Sequence, residues 1–284
     1  MNTEISCVPC YLRGVFSVLD TFSLTDERKK EIAHEILCRL PDLSFTASPP
    51  ENAMLLYRDL YEKMAIDDPY EELKLKMTEF AQELLDQVLD EFEKFPDRLE
   101  GAVRMAIAGN ILDIALDISP ETARARLLSA LTEPLDTKNL ENFRNDIKKA
   151  ERILYIMDNC GEAVFDRYLL EYCGEKVTIA VRGKPILNDI TRKEVEASGL
   201  SSYRIVDTGS MIPGVVLHDC SEEFRNVYES SDLIISKGQG NYETLSGEKG
   251  AKTYFLLRAK CTEVMRSLGN VPAMSMVLAY LGAR

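Results

Sequence analysis

The chain has 284 residues, room for one large or two ordinary domains, and its 45% hydrophobic and 29% charged content is that of a globular protein. A net charge of −13 argues against nucleic acid as the main partner, because phosphate backbones need a basic surface. No apolar run reaches the roughly 18–20 residues of a membrane span, so no membrane partner is expected.

Residues 1–96 read as an all-helical domain. The first ten residues lack the basic and apolar stretches of a signal peptide. Seven Cys at irregular spacing then predict reduced thiols and a cytoplasmic protein. Residues 10–19 form a short apolar helix. Thr25, Asp26 and Glu27 start a second, with Ile32, Ile36 and Leu40 along one face. Pro41 and Pro49-Pro50 bracket a loop, and residues 53–63 form a third helix. Over residues 70–95, Leu73, Met77, Phe80, Leu84, Val88 and Phe92 recur every three or four positions, the pattern of an amphipathic helix.

A second unit, an α/β domain, spans 97–284, with leading helices over 97–149 and strands and helices over 151–284. The first helix, 98–116, contains Gly109, which costs about 1 kcal/mol in a helix interior and suggests a close backbone neighbour. Asn110 and Asp113 share a face of it. Two readings stand: an internal hydrogen-bonded pair, or polar groups reaching a site built by the later residues. From 151 onward, apolar runs at 153–157, 177–181, 203–206, 233–235, 253–257 and 276–280 alternate with helices near 163–172, 190–198, 221–229, 241–247 and 261–268. This alternation predicts a helical N-terminal domain packed on a doubly wound, mainly parallel α/β/α sandwich.

Three loops at strand ends carry the unusual residues. The first is Asp158-Asn159-Cys160-Gly161-Glu162, where Gly161 permits a tight turn. The second contains Asn188-Asp189. The third, Lys237-Gly238-Gln239-Gly240-Asn241, has the glycines and lysine of an anion cradle, yet matches neither the Walker nor the dinucleotide fingerprint. Asp158, Asn159 and Asp189 offer three oxygen ligands, which suit Mg²⁺ or Mn²⁺ better than Zn²⁺. Acids beside an anion cradle are coherent if a cation lies between them. The competing readings are helix caps for the acids and a solvated strand-end position for Lys237.

Asp-Asn-x-Gly-Glu, Lys-Pro-x-x-Asn-Asp-x-Thr and Lys-Gly-Gln-Gly-Asn-Tyr-Glu, in this order, resemble the metal-dependent damage-control phosphatases, also called acidic-residue-methyltransferase-like. The resemblance covers nearly the whole chain, and the N-terminal Cys-x-x-Cys looks like the compact archaeal-type branch. It implies metal ligands at Asp158, Asn159 and Asp189 and a phosphate contact at Lys237. It also implies a divalent cofactor (Mn²⁺, Co²⁺, Ni²⁺ or Mg²⁺) and hydrolysis of small phosphorylated metabolites. Glu162, Asn188, Gly238, Gly240, Asn241, Asn110, Asp113 and Ser210 are the further substrate- or phosphate-binding candidates.

Cys7 and Cys10 read as inert thiols, an auxiliary metal site or a redox pair. Cys160 has no neighbouring His to activate it, which disfavours nucleophilic catalysis. A carboxyl-directed methyltransferase and a non-catalytic metabolite-binding protein are the rival functions. The first would want a Gly-rich turn after the first strand, where Asp158-Asn159 stand instead. The oligomeric state is left open.

Overall fold

The computed structural model describes residues 1–110 and 119–281. Among the described residues, seven α-helices precede the first strand: α1 (Cys7–Thr21), α2 (Asp26–Leu37), α3 (Pro49–Met64), α4 (Glu71–Glu93), α5 (Arg98–Ala108), α6 (Pro120–Ser129) and α7 (Thr137–Lys149). Then β1 (Ile153–Ile156), α8 (Cys160–Cys173), β2 (Val177–Val181), β3 (Arg204–Asp207), α9 (Glu222–Ser230), β4 (Leu233–Lys237), α10 (Gln239–Leu245), β5 (Lys252–Arg258), α11 (Thr262–Ser267) and β6 (Met276–Leu281) follow. Among the described residues, no helix is long and apolar enough to cross a membrane.

The six strands form one sheet in the order β3-β2-β1-β4-β5-β6. Four of the five pairings are parallel, beginning with β1, whose Ile153 lies opposite Val177 of β2 and Leu233 of β4. Only β6 runs antiparallel, along β5. Alternate side chains of a strand face opposite layers. Accordingly Ile153 and Tyr155 join the core beneath α4, α5 and α8, while Leu154 and Ile156 join the core beneath α9 and α10. Burial on both faces explains the continuous apolar run of β1.

A third core belongs to α1, α2 and α3, centred on Val15, Ile32, Ile36, Leu56 and Leu60. Ile186, from the loop after β2, is fully buried in it. Residues 71–93, read from sequence with the helical unit, instead bury Leu84, Leu85 and Val88 in the sheet's own core. Their apolar stripe packs on α8.

Other differences are local. The helix read over 190–198 is a 3₁₀ turn, Arg192–Glu194, followed by turns. There the Glu194 carboxylate reaches back to Thr191, accepting from its backbone N–H at 2.8 Å and its hydroxyl at 2.7 Å. A capping box of this kind starts a helix, but Gly199, at φ +72°, closes the segment within two turns. Helix α8 begins at Cys160, so Gly161 lies in its first turn rather than before it. Gly109 ends α5 instead of lying inside it, and a Cβ there would stand 3.2 Å from Phe165 of α8. The close neighbour expected at Gly109 is therefore α8. The remainder of the helix read over 98–116 lies outside the described residues.

One buried charge joins the outer helix layer to the loops. Lys74 of α4 is fully buried, 2.9 Å from Asp68 and 3.9 Å from Glu194. Removing the ammonium strands buried carboxylates without a counter-charge. Lys74→Ala is expected to lower unfolding free energy by about 3 kcal/mol, the scale of breaking a buried pair. Urea titration of the variant checks this, and a loss under about 1 kcal/mol would show that the pair carries no net stability.

Candidate active site

The order of the strands creates the crevice. β1 and β4 are neighbours, while their following helices, α8 and α10, pack on opposite faces of the sheet. Ligands of open α/β sheets bind where strand order reverses in this way, beyond the carboxyl ends. Here a cavity of 480 Å³ opens, with Asn110, Asp158, Asn159, Asn188 and Asp189 on one side. α1 and α3 also line it, through Cys7, Cys10, Pro50 and Tyr57.

Backbone pairing brings the first two loops together. Asn159 and Asp189 form an isolated antiparallel bridge. Asp158 O accepts from Ile190 N at 2.9 Å, and Asn188 O from Cys160 N at 3.0 Å. The third loop closes from below. A Cβ on Gly238 would stand 1.8 Å from Asp158 Oδ2, and its backbone is left-handed, at φ +80°. Only glycine lets the carboxylate lie against this backbone. Asp158, Asn159 and Asp189 thus share one wall, two carboxylates and an amide drawn from separate loops.

A buried ion cluster lies directly behind that wall. The Lys237 ammonium is fully enclosed and donates to Ala106 O at 2.9 Å, to Asp166 Oδ1 at 2.6 Å and to Glu162. Tyr155 hydroxyl adds a donor to Asp166 at 2.8 Å. Glu162 Oε2 accepts from Asn110 Nδ2 at 2.7 Å and from Asn159 Nδ2 at 3.4 Å. Asn159 Nδ2 also meets Asp158 Oδ2 at 3.1 Å. Both contacts of that amide use its nitrogen, so two carboxylates set which way its oxygen turns. Burial alone would lower the Lys237 pKa, but Asp166 and Glu162 outweigh it and hold the ammonium charged. Asp166 is pushed up by burial despite the lysine.

The expected residues therefore divide. Asn110, Asn188 and Gly240 line the cavity, as do Cys7 and Cys10. Asn110 reaches Glu162 from the end of α5, while Asp113 lies outside the described residues. Lys237 does not line the cavity, contrary to a direct phosphate contact, because strand alternation turns it toward α5 and α8, where carboxylates enclose it. Asn241 also sits behind the wall, donating to Met157 O at 3.1 Å and Lys237 O at 2.7 Å. Ser210 is absent from the cavity wall, its hydroxyl engaged by Asp219. Burial pushes the Cys160 thiol well up, which suits a packing residue rather than a nucleophile.

Sequence reading missed Arg182. It is 1% exposed, its Nε donates to Asp189 Oδ2 at 2.6 Å and its Nη2 to Asn241 Oδ1 at 3.0 Å. An arginine at the end of a buried strand, one loop from an acid pair, was the available signal.

The donor set suits a hard divalent cation. Among the described lining residues the acids Asp158, Asp189 and Glu263 outnumber the one cation, Lys260, while burial pushes the fourth carboxyl, Glu243, up toward neutrality. An anion entering such a cavity meets repulsion of about 4 kcal/mol per unit charge at 4 Å and an effective dielectric near 20. The described residues contain no cluster of three His, Cys, Asp or Glu placed to hold a metal. The third donor of the set is an amide, Asn159, and amide oxygens serve hard cations alongside carboxylates.

Lys237→Met should expose how the cluster is balanced. Without the ammonium, Asp166 is buried beside a second carboxylate with no counter-charge, and burial raises its pKa above that of the unfolded chain. Groups so raised bind more protons when folded, so their stabilisation is lost as pH rises. The variant is expected to lose about 3–5 kcal/mol at a pH near 8 and clearly less near 5. Denaturant titrations at both values check this, and an equal loss would contradict the assigned balance.

The profile of the damage-control phosphatase ARMT1-like domain matches residues 3–274. The chain is 33% identical over 283 residues to damage-control phosphatase PH1575 of Pyrococcus horikoshii, covering 98% of this chain and 97% of that protein. It is 31% identical over 234 residues to a damage-control phosphatase of Archaeoglobus fulgidus, covering 78% and 81%. The crystal structure of a DUF89 family protein from P. horikoshii superposes with a TM-score of 0.89 at 32% identity over 98% of both chains. With three loop motifs, a full-length profile match and a shared fold in agreement, the chain belongs to the damage-control phosphatase ARMT1-like domain family.

Proposed function

We propose that the protein is a divalent-metal-dependent phosphatase that hydrolyses phosphomonoesters of small metabolites, such as sugar phosphates or damaged metabolite phosphates. The observation that carries this is the oxygen donor set, Asp158, Asn159 and Asp189, on one wall of a 480 Å³ cavity at the sheet's switch point. The names of the two relatives support the reaction class. The cavity volume lies in the range of small-molecule sites.

Asp158, Asn159 and Asp189 hold the cation in this reading. When bound, it neutralises phosphate charge and lowers the pKa of a bound water. Arg182 fixes the Asp189 carboxylate from behind, and Glu162 fixes the Asn159 amide. Such outer partners orient ligands and tune affinity. Lys237 acts through Glu162 rather than on phosphate directly, since its ammonium is enclosed.

Asp158→Ala and Asp189→Ala are each expected to lose bound metal and nearly all turnover while keeping the fold. Metal content, circular dichroism and turnover on a phosphomonoester panel, with and without chelator, check this. Near-wild-type turnover with bound metal in either variant would remove that residue from the ligand set. No turnover on any ester with any of the four metals would overturn the phosphatase reading.

A further inference from the structure

Glu243 of α10 lines the same cavity as the acid pair and its amide. This residue is 8% exposed. Gln239 Nε2 donates to its Oε1 at 3.0 Å. Gln239 is itself fixed, its Oε1 accepting from Lys260 N at 3.1 Å and Cys261 N at 3.3 Å. The carboxyl is therefore held by a side chain that is clamped from the loop after β5.

Few charges reach Glu243 to favour its ionised form. The Met1 amine approaches its backbone oxygen, the Cys7 thiol and Tyr11 phenol face it from α1, and Cys261 lies 4.0 Å from Oε1. Lys260 lines the same cavity. Burial dominates, against the Gln239 hydrogen bond and the amine, and pushes the carboxyl up to about 7. At neutral pH a carboxyl of this kind still carries a proton in much of the population.

An alkyl phosphomonoester needs that proton. Its leaving group is an alkoxide, which departs slowly unless protonated as the bond breaks. We propose that Glu243 is the general acid of the phosphatase reaction, giving its proton to the ester oxygen. The water oxygen bonds to phosphorus and the ester P–O bond breaks. Its electron pair stays on the ester oxygen, which takes the Glu243 proton and departs as the alcohol. One proton of the water stays on the phosphate. The other passes to solvent, from which Glu243 is reprotonated. This assignment rests on the phosphatase reading and adds a catalytic residue to it.

Two esters separate this role from a structural one. Glycerol phosphate has a poor leaving group, and p-nitrophenyl phosphate a good one that needs little protonation. With Mn²⁺-loaded wild-type enzyme, kcat on glycerol phosphate should fall as pH rises above about 7, while kcat on p-nitrophenyl phosphate should not share that fall. Glu243→Gln should lower kcat on glycerol phosphate about 10²-fold, and on p-nitrophenyl phosphate by less than about tenfold. Its metal content should be unchanged. Equal losses on both esters, or a shared alkaline fall in the wild type, would overturn the proposal. Should Glu243→Gln fail to fold, the wild-type comparison of the two esters decides alone. If wild-type enzyme turns over no ester of the phosphomonoester panel with any of the four metals, the phosphatase reading fails and this proposal fails with it; if it hydrolyses other alkyl and aryl esters, the same comparison is made on those, and turnover without leaving-group discrimination sinks only the Glu243 assignment.

Discussion

The site depends on one ammonium placed where water cannot reach it. Lys237 brings a positive charge to the end of β4, and Glu162 and Asp166 meet it from α8. Charges are costly to bury, and the cost is offset only when each is paired and hydrogen-bonded. Tyr155, Ala106 O and Asn110 supply those further bonds. The cluster thereby ties α5, α8, β1 and β4 at one point. Its outermost member, Glu162, also holds Asn159, so the orientation of a cavity-lining amide is set by electrostatics several residues deep.

A second constraint is steric. The Asp158 carboxylate lies against Gly238, and any side chain there would expel it. The Asp189 loop is held from three directions. Arg182 grips its carboxylate, Tyr61 hydroxyl accepts from Leu187 N at 3.1 Å, and Ile186 is buried among α1–α3. Leu187 has a left-handed backbone at φ +48°, which a β-carbon tolerates poorly. The surrounding contacts hold it there, which is how strained backbone persists near functional sites.

Much of this was legible from residue order alone. Alternating apolar runs and helical segments gave the α/β class, and acids directly after a buried strand marked the crevice. The 71–93 helix was plain from its spacing, though not which core it joined, because periodicity reports a buried face and not its partner. Lys237 was visible as the lysine of a glycine-rich loop. Its inward direction followed from strand register, which is settled by pairing to β1 and β5. Arg182 and Glu243 escaped because each matters through burial: one stood at a strand end and the other closed a quoted motif, but neither position says that the charged side chain is enclosed. Ser210 was misplaced because a strand-end position does not say whether a loop turns toward the cavity or toward Asp219.

Ile186 has a mechanical meaning. Asp158 rides on the sheet, whereas Asp189 stands three residues beyond a side chain rooted in the helical unit. The Asp189 loop is therefore fastened twice, to the sheet through its pairing with the Asp158 loop and to the helical unit through Ile186. Anything that draws the two acids together acts as a rivet between those bodies, and anything that loosens α1–α3 slackens the grip on what lies between the acids. Under the proposed metal-binding role, affinity for the cation and the cohesion of the helical cap become two readings of the same spring.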